Sequence, residues 1–137
     1  MSTKSLIIVA ALLGLTACQS TPSTEITGIE VQGSWHIESA QGQPVIDYSP
    51  AQLIFSADGE LSGNNSCNEF FGQYQLEGSR LTLSPAGHTM KACVDALMHQ
   101  EQRVMQAMKL ITLAQESKGK LVLKDDNGKI QLVLSKK

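Results

Sequence analysis

The 137-residue chain is predicted to be an α+β protein, mostly β: a small antiparallel β-meander closing into a barrel-like sheet, with one packed α-helix. Three observations predict it. Short alternating apolar segments are separated repeatedly by glycine-containing turns, the pattern of consecutive antiparallel strands and not of βαβ units. A single segment switches to helical period. The N-terminal stretch reads as export and tether sequence, which leaves one domain large enough to bury a core.

Residues 1–17 are read as a lipoprotein signal peptide. Lys4 supplies the positive start, and Leu6–Leu15 is an apolar run too short for a permanent membrane span. The run ends in Leu15-Thr16-Ala17-Cys18, which resembles a bacterial lipobox, so Cys18 is the expected lipidation site. Acylation of both its sulfur and its amine gives stable anchoring, where one acyl chain binds only marginally. The neutral Gln19 after it resembles an outer-membrane sorting signal, with the domain facing the periplasm of a two-membraned bacterium. Residues 18–31 are read as a lipid-anchored flexible tether: Gln19–Glu25 is polar apart from Pro22. Extended, Gln19–Val31 reaches about 40 Å. The folded domain is placed at 32–135.

The formal net charge is −2, and loss of Lys4 with the leader makes it more negative. That gives no basic footprint, so nucleic acid is excluded as a partner. Export also bears on the cysteines. With Cys18 taken by lipid, Cys67 and Cys93 remain in an oxidising compartment, where two thiols pair more often than they stay reduced.

Along the domain, Trp35 and Ile37 alternate with His36 and Glu38 as in a half-buried strand. Gln41-Gly42-Gln43-Pro44 turns the chain, and Val45-Ile46 is expected to resume it. Leu53 and Phe55 precede Asp58-Gly59, a hairpin turn that returns through Leu61. The next stretch, Gly63 to Tyr74, begins with three asparagines, Asn64, Asn65 and Asn68, around Cys67. It reads as a backbone crossing held by asparagine amides, leading into a strand with Phe70 and Tyr74 on one face. Leu76 continues that face, Glu77-Gly78-Ser79 turns the chain, and Leu81 and Leu83 return it. Near the end, Leu121 and Leu123 lead through Asp126-Asn127-Gly128 to Ile130, Leu132 and Leu134, a last hairpin.

Between Cys93 and Lys109 the apolar residues Val94, Leu97, Met98, Val104, Met105 and Met108 share one helical face. Asp95 in the first turn and Lys109 near the end suit the helix dipole. A core role for this face is the plainer expectation, with an adaptable methionine binding surface as the sharper one. Glu101 falls in the middle of it. A buried, unpartnered carboxylate costs several kcal/mol, on the order of an unpaired buried polar group. Glu101 is therefore expected to accept hydrogen bonds from the Asn64–Asn68 crossing; the alternative is a rotated helix with Glu101 in water.

The succession Gly33-x-Trp35, Leu53-x-Phe55 with Asp58-Gly59, Gly63-x-x-x-Cys67-Asn68-x-Phe70-x-Gly72-x-Tyr74, Thr89-Met90-x-x-Cys93 and helical Glu101 resembles the META domain family, in particular its HslJ-like lipoprotein members. The resemblance runs from about Gly33 to Leu134, with Ser66 standing where many members carry glycine. It implies a small β-rich domain with one helix, no established enzymatic activity and no cofactor. For HslJ-like members it further implies a link to heat or envelope stress and to novobiocin tolerance. By the same resemblance Gly63, Asn64, Asn68, Phe70, Gly72, Tyr74, Thr89 and Glu101 are the structural motif, and Cys67 and Cys93 meet at the junction of sheet and helix as a disulfide. A loop of that length stabilises by about 3.5 kcal/mol in the chain-entropy model.

Catalytic readings are weaker. Cys67 could be combined with His36, His88 or His99 and with Asn68 as a thiol enzyme, but neither cysteine has a nucleophile signature around it. Zinc on Cys67, Cys93 and His88 lacks paired-ligand spacing, and Asp125–Gly128 lacks the alternating oxygens of a calcium loop. No phosphate loop or nucleophile elbow is present, and no metal is expected. Two roles remain. A binding module would take a hydrophobic ligand or peptide in a barrel mouth, between the helix and the Trp35 and Phe55 strands. An accessory module would have a filled interior and would hold an envelope protein on an exposed apolar patch or an open strand edge. Small barrels are usually filled by their own side chains, which favours the accessory role.

Overall fold

The computed structural model describes Gly14, Cys18 and residues 28–137. The expected signal peptide, apart from Gly14, and most of the tether lie outside the described residues. Nine strands and one helix follow: β1 Gly33–Ala40, β2 Gln43–Pro44, β3 Gln52–Phe55, β4 Glu60–Asn64, β5 Glu69–Glu77, β6 Arg80–His88, α1 Asp95–Leu110, β7 Leu113–Ser117, β8 Lys120–Lys124 and β9 Ile130–Lys136. All pairings are antiparallel, in the order β2-β1-β3-β4-β5-β6-β7-β8-β9. β1 also pairs with β9, Ile37 opposite Leu134, so the sheet returns on itself as a ring. The fold class is thus α+β, mostly β.

The period-2 pattern explains which side chains fill the ring. Ile37, Leu53, Phe55, Leu61, Leu81, Leu121, Leu123, Leu132 and Leu134 are fully buried. Val31 is also buried, and its carbonyl accepts the Trp35 indole N–H at 2.7 Å. Ile29 packs against the same core, so the last residues assigned to the tether belong to the folded body.

Three elements differ from expectation. Val45-Ile46 does not resume a strand: the β1 hairpin ends at Pro44, and the Ile46 N–H is drawn instead to the Gln100 side chain at 2.9 Å. β7 had no signal, because Leu-Ala-Gln-Glu-Ser buries only Ala114 and does not alternate. The helix is rotated from the face its apolar residues suggest. Gln100, Val104, Ala107 and Met108 are buried, whereas Val94 and Met98 are 60% and 39% exposed.

That rotation follows from where the helix sits. Between β6 and β7 the ladder narrows to one register pair, Arg80 with Leu113. α1 is the connection across this gap and packs against β6, β9 and β1. Its C-terminal half therefore meets the core, while its N-terminal turns overhang the Asn64–Asn68 crossing.

Candidate functional site

Gly63 brings the crossing close to β3. A Cβ at this position would lie 2.0 Å from the Gln52 carbonyl oxygen, so only glycine fits. Asn64 then forms a local turn, its Oδ1 accepting the Ser66 N–H at 2.8 Å. Asn65 is fully buried, and its Oδ1 accepts the N–H of Asn68 at 2.9 Å and of Cys67 at 3.3 Å. Cys67 and Cys93 are joined as a disulfide across a sequence separation of 26. This fastens the crossing to the residue just before the helix N-cap.

Asn68 holds the opposite wall. Its Oδ1 accepts the Thr89 hydroxyl at 2.9 Å and the Lys91 N–H at 2.6 Å. Thr89 in turn accepts the Glu69 N–H, and its own N–H donates to the Glu69 carbonyl. The path from β6 to the helix, Thr89–Val94, is thus pinned although it has no regular structure.

Glu101 closes the arrangement from above. Its side chain is 14% exposed. Oε1 accepts from the amides of Asn65 at 3.1 Å and Asn68 at 3.2 Å, and Oε2 accepts from Asn68 at 3.1 Å. His88 Nδ1 lies 3.9 Å from Oε1. That nitrogen is 2.7 Å from the Thr89 carbonyl, which can only accept, so Nδ1 carries a proton directed at the backbone.

One component of this arrangement escaped the sequence reading. Gln100 is fully buried beside Glu101; its Nε2 donates to the hydroxyls of Ser49 at 2.7 Å and Ser66 at 2.9 Å. A glutamine at the edge of an apolar helix face was the available signal. Asn65 was quoted in the run but not singled out, although it touches Glu101 directly. The remaining motif residues serve elsewhere. Phe70 is buried in the core, Gly72 admits the β6 backbone, and Tyr74 packs edge-on to Phe55 at 5.0 Å with its hydroxyl on the Ser56 carbonyl. Desolvation pushes the Tyr74 phenol above its ordinary range, helped by the charges of Glu30 and Asp58.

The candidate catalytic sets do not assemble. Both sulfurs are in the disulfide, so neither offers the thiol that the nucleophile and zinc readings require. Among the described residues no group of three His, Cys, Asp or Glu side chains could hold a metal ion. Asp125 instead ties its own turn: Oδ1 accepts from Asn127 and Lys129, and Oδ2 from Gln131.

What the node does create is a cleft of about 500 Å³ between the helix and the Thr89–Val94 path. Met90, Met98 and Met105 wall it, and His88, Asn68 and Glu101 contribute its polar surface. Met90 is 91% exposed. This is an apolar surface with one carboxylate set into it.

Comparison with known proteins agrees with this architecture. The model of the META domain family matches residues 27–137. An NMR structure of a protein from Burkholderia xenovorans is 26% identical, covers 77% of this chain and 82% of its own, and superposes with a TM-score of 0.62. A crystal structure of a DUF4847 family protein from Bacteroides vulgatus is 14% identical, covers 77% and 93%, and has a TM-score of 0.61, a likeness of fold. No curated protein matches the chain.

Proposed function

The chain belongs to the META domain family, and from that premise we propose that it is a non-catalytic accessory module of the bacterial envelope. It is carried on a lipid at Cys18, faces the periplasm from the outer membrane, and engages a protein partner through the methionine-walled cleft. Its use under heat or envelope stress, and in novobiocin tolerance, follows from its resemblance to HslJ-like lipoproteins.

One observation carries the reading. The ring is filled by its own side chains, Trp35 and Phe55 included, while Met90 and Met98 stand exposed around a cleft outside it. A ligand in the barrel mouth would need the space those core residues occupy. A partner needs a surface, and exposed apolar side chains gathered around a cleft supply one. Methionine suits this role because its unbranched, polarizable side chain repacks readily.

Photo-crosslinking in intact envelopes tests the reading. A crosslinking residue at Met98 is expected to capture a discrete partner, and one at Asn127, in the β8–β9 turn outside the cleft, is not. Equal capture at both positions, or none at Met98, overturns it. Globomycin, which blocks lipoprotein signal peptidase, is expected to leave the leader attached; normal maturation in its presence overturns the anchor.

A further inference from the structure

Resting on that reading of the cleft, we propose that its occupant is a partner segment presenting a lysine or arginine beside an apolar side chain. The basic group pairs with Glu101, and the apolar one lies among Met90, Met98 and Met105.

The argument starts from what Glu101 lacks. A carboxylate offers about four acceptor sites. Glu101 makes three contacts, two on Oε1 and one on Oε2, and all come from two neutral amides, Asn65 and an Asn68 nitrogen shared between the two oxygens. Its only ion-pair neighbour among the described residues is His88, at 3.9 Å, whose near nitrogen already donates to the Thr89 carbonyl. Lys91 lines the same cleft, yet its ammonium makes no ion pair with Glu101. A mostly buried carboxylate is thus left with an open acceptor site and no lysine or arginine paired to it, in a cleft walled by thioethers.

Charge complementarity then selects the ligand. A basic group entering the cleft completes the fourth hydrogen bond, and away from bulk water that charge-assisted bond is stronger than a neutral one. An acidic group would face Glu101 at low dielectric and be rejected. The volume, about 500 Å³, and the exposed side chains of Met90 and Met98 suit side chains of a longer segment that continues over the surface.

Methionine-methyl NMR on the full-length protein in lipid nanodiscs tests this. The probes are two acetylated peptide amides differing in one residue, Gly-Leu-Arg-Leu-Gly and Gly-Leu-Glu-Leu-Gly, with hexyltrimethylammonium as a third. The arginine peptide is expected to shift Met90, Met98 and Met105 but not buried Met108, and to bind at least tenfold tighter than the glutamate peptide. E101Q should reduce that preference to less than threefold, while K91A should leave it intact or raise it. Should E101Q fail to fold, the comparison of the two peptides on the wild type still decides. Equal affinity for the two peptides overturns the proposal, as does no shift at 10 mM. So does hexyltrimethylammonium binding as tightly as the arginine peptide, which would make the occupant a small cation. Concentration-dependent shifts of the same methyls without peptide would make it a second copy, again overturning the proposal. Capture of a partner at Met98 without any charge preference would leave the accessory role standing and remove only this inference.

Discussion

Ser66 stands at φ +117°, a region where a side chain is strained by about 1–3 kcal/mol. Its hydroxyl offsets this by accepting from Gln100 at 2.9 Å. A serine at this position therefore has a local reason. S66A keeps the strain and loses the bond, whereas S66G loses both; in urea unfolding S66A is expected to be less stable than S66G by about 1 kcal/mol or more. Glu101 presents a sharper case, since its removal strands the buried Asn65 amide and leaves the Asn68 amide only the Lys91 carbonyl. E101A should cost about 2–4 kcal/mol, the range for lost bonds to a charged group with partners left unsatisfied, and E101Q less. An E101A protein as stable as wild type would mean the three bonds contribute nothing net. The asparagines and Glu101 were visible as a run and an anomaly. Gln100 was not, because it falls at the edge of the apolar face the spacing defines and enters the core only through the rotation of the helix.

At the scale of the element, the helix shows why apolar spacing alone misjudged orientation. Its first turns overhang the crossing and its last turns enter the core, so one straight stripe cannot be buried along its length. The contrast is measurable. M108A, with Met108 fully buried, is expected to lose about 2–5 kcal/mol, the cost of a large core truncation. M98A, 39% exposed, should change stability by about 0.5 kcal/mol or less. The disulfide links two connecting segments, the crossing between β4 and β5 and the path from β6 to the helix. With a separation of 26, opening it by C67S/C93S should lower stability by about 3.5 kcal/mol in the chain-entropy model. The urea midpoint of the double variant against wild type checks this; an unchanged midpoint contradicts it.

For the whole molecule, closure of the ring makes charge contacts between distant parts of the chain. Lys120 donates to Glu38 at 2.6 Å, and chiefly that bond holds the Glu38 carboxyl below its ordinary 4.5, against partial desolvation, with the Ser135 hydroxyl and the charges of Lys120 and His36 assisting. At Asp125 desolvation pulls upward, but the Lys129 backbone, the Gln131 amide, the Asn127 backbone and the Lys129 charge together carry the carboxyl below its ordinary 3.8. A lowered carboxylate stabilises above its unfolded value and loses that contribution as pH falls through its folded value. Thermal stability is therefore expected to be level above about pH 5 and to decline below pH 4, less steeply in K120M, where the chief cause of the Glu38 shift is removed. A midpoint still level to pH 2 would contradict this.

By itself the amino-acid order determined the mostly-β class, the position of most turns, the helix after Cys93 and the family, because strand alternation and turn chemistry are local properties carried by neighbouring residues. It also marked Glu101 and the asparagine run as belonging together. Only tertiary structure decided the rotation of the helix, the closure of β1 on β9, the burial of Gln100 and Asn65, and the placing of the methionines around a cleft outside the ring. Those depend on which surfaces meet across long sequence separations, where each contact is set by the packing of every other and leaves no periodic trace in the chain.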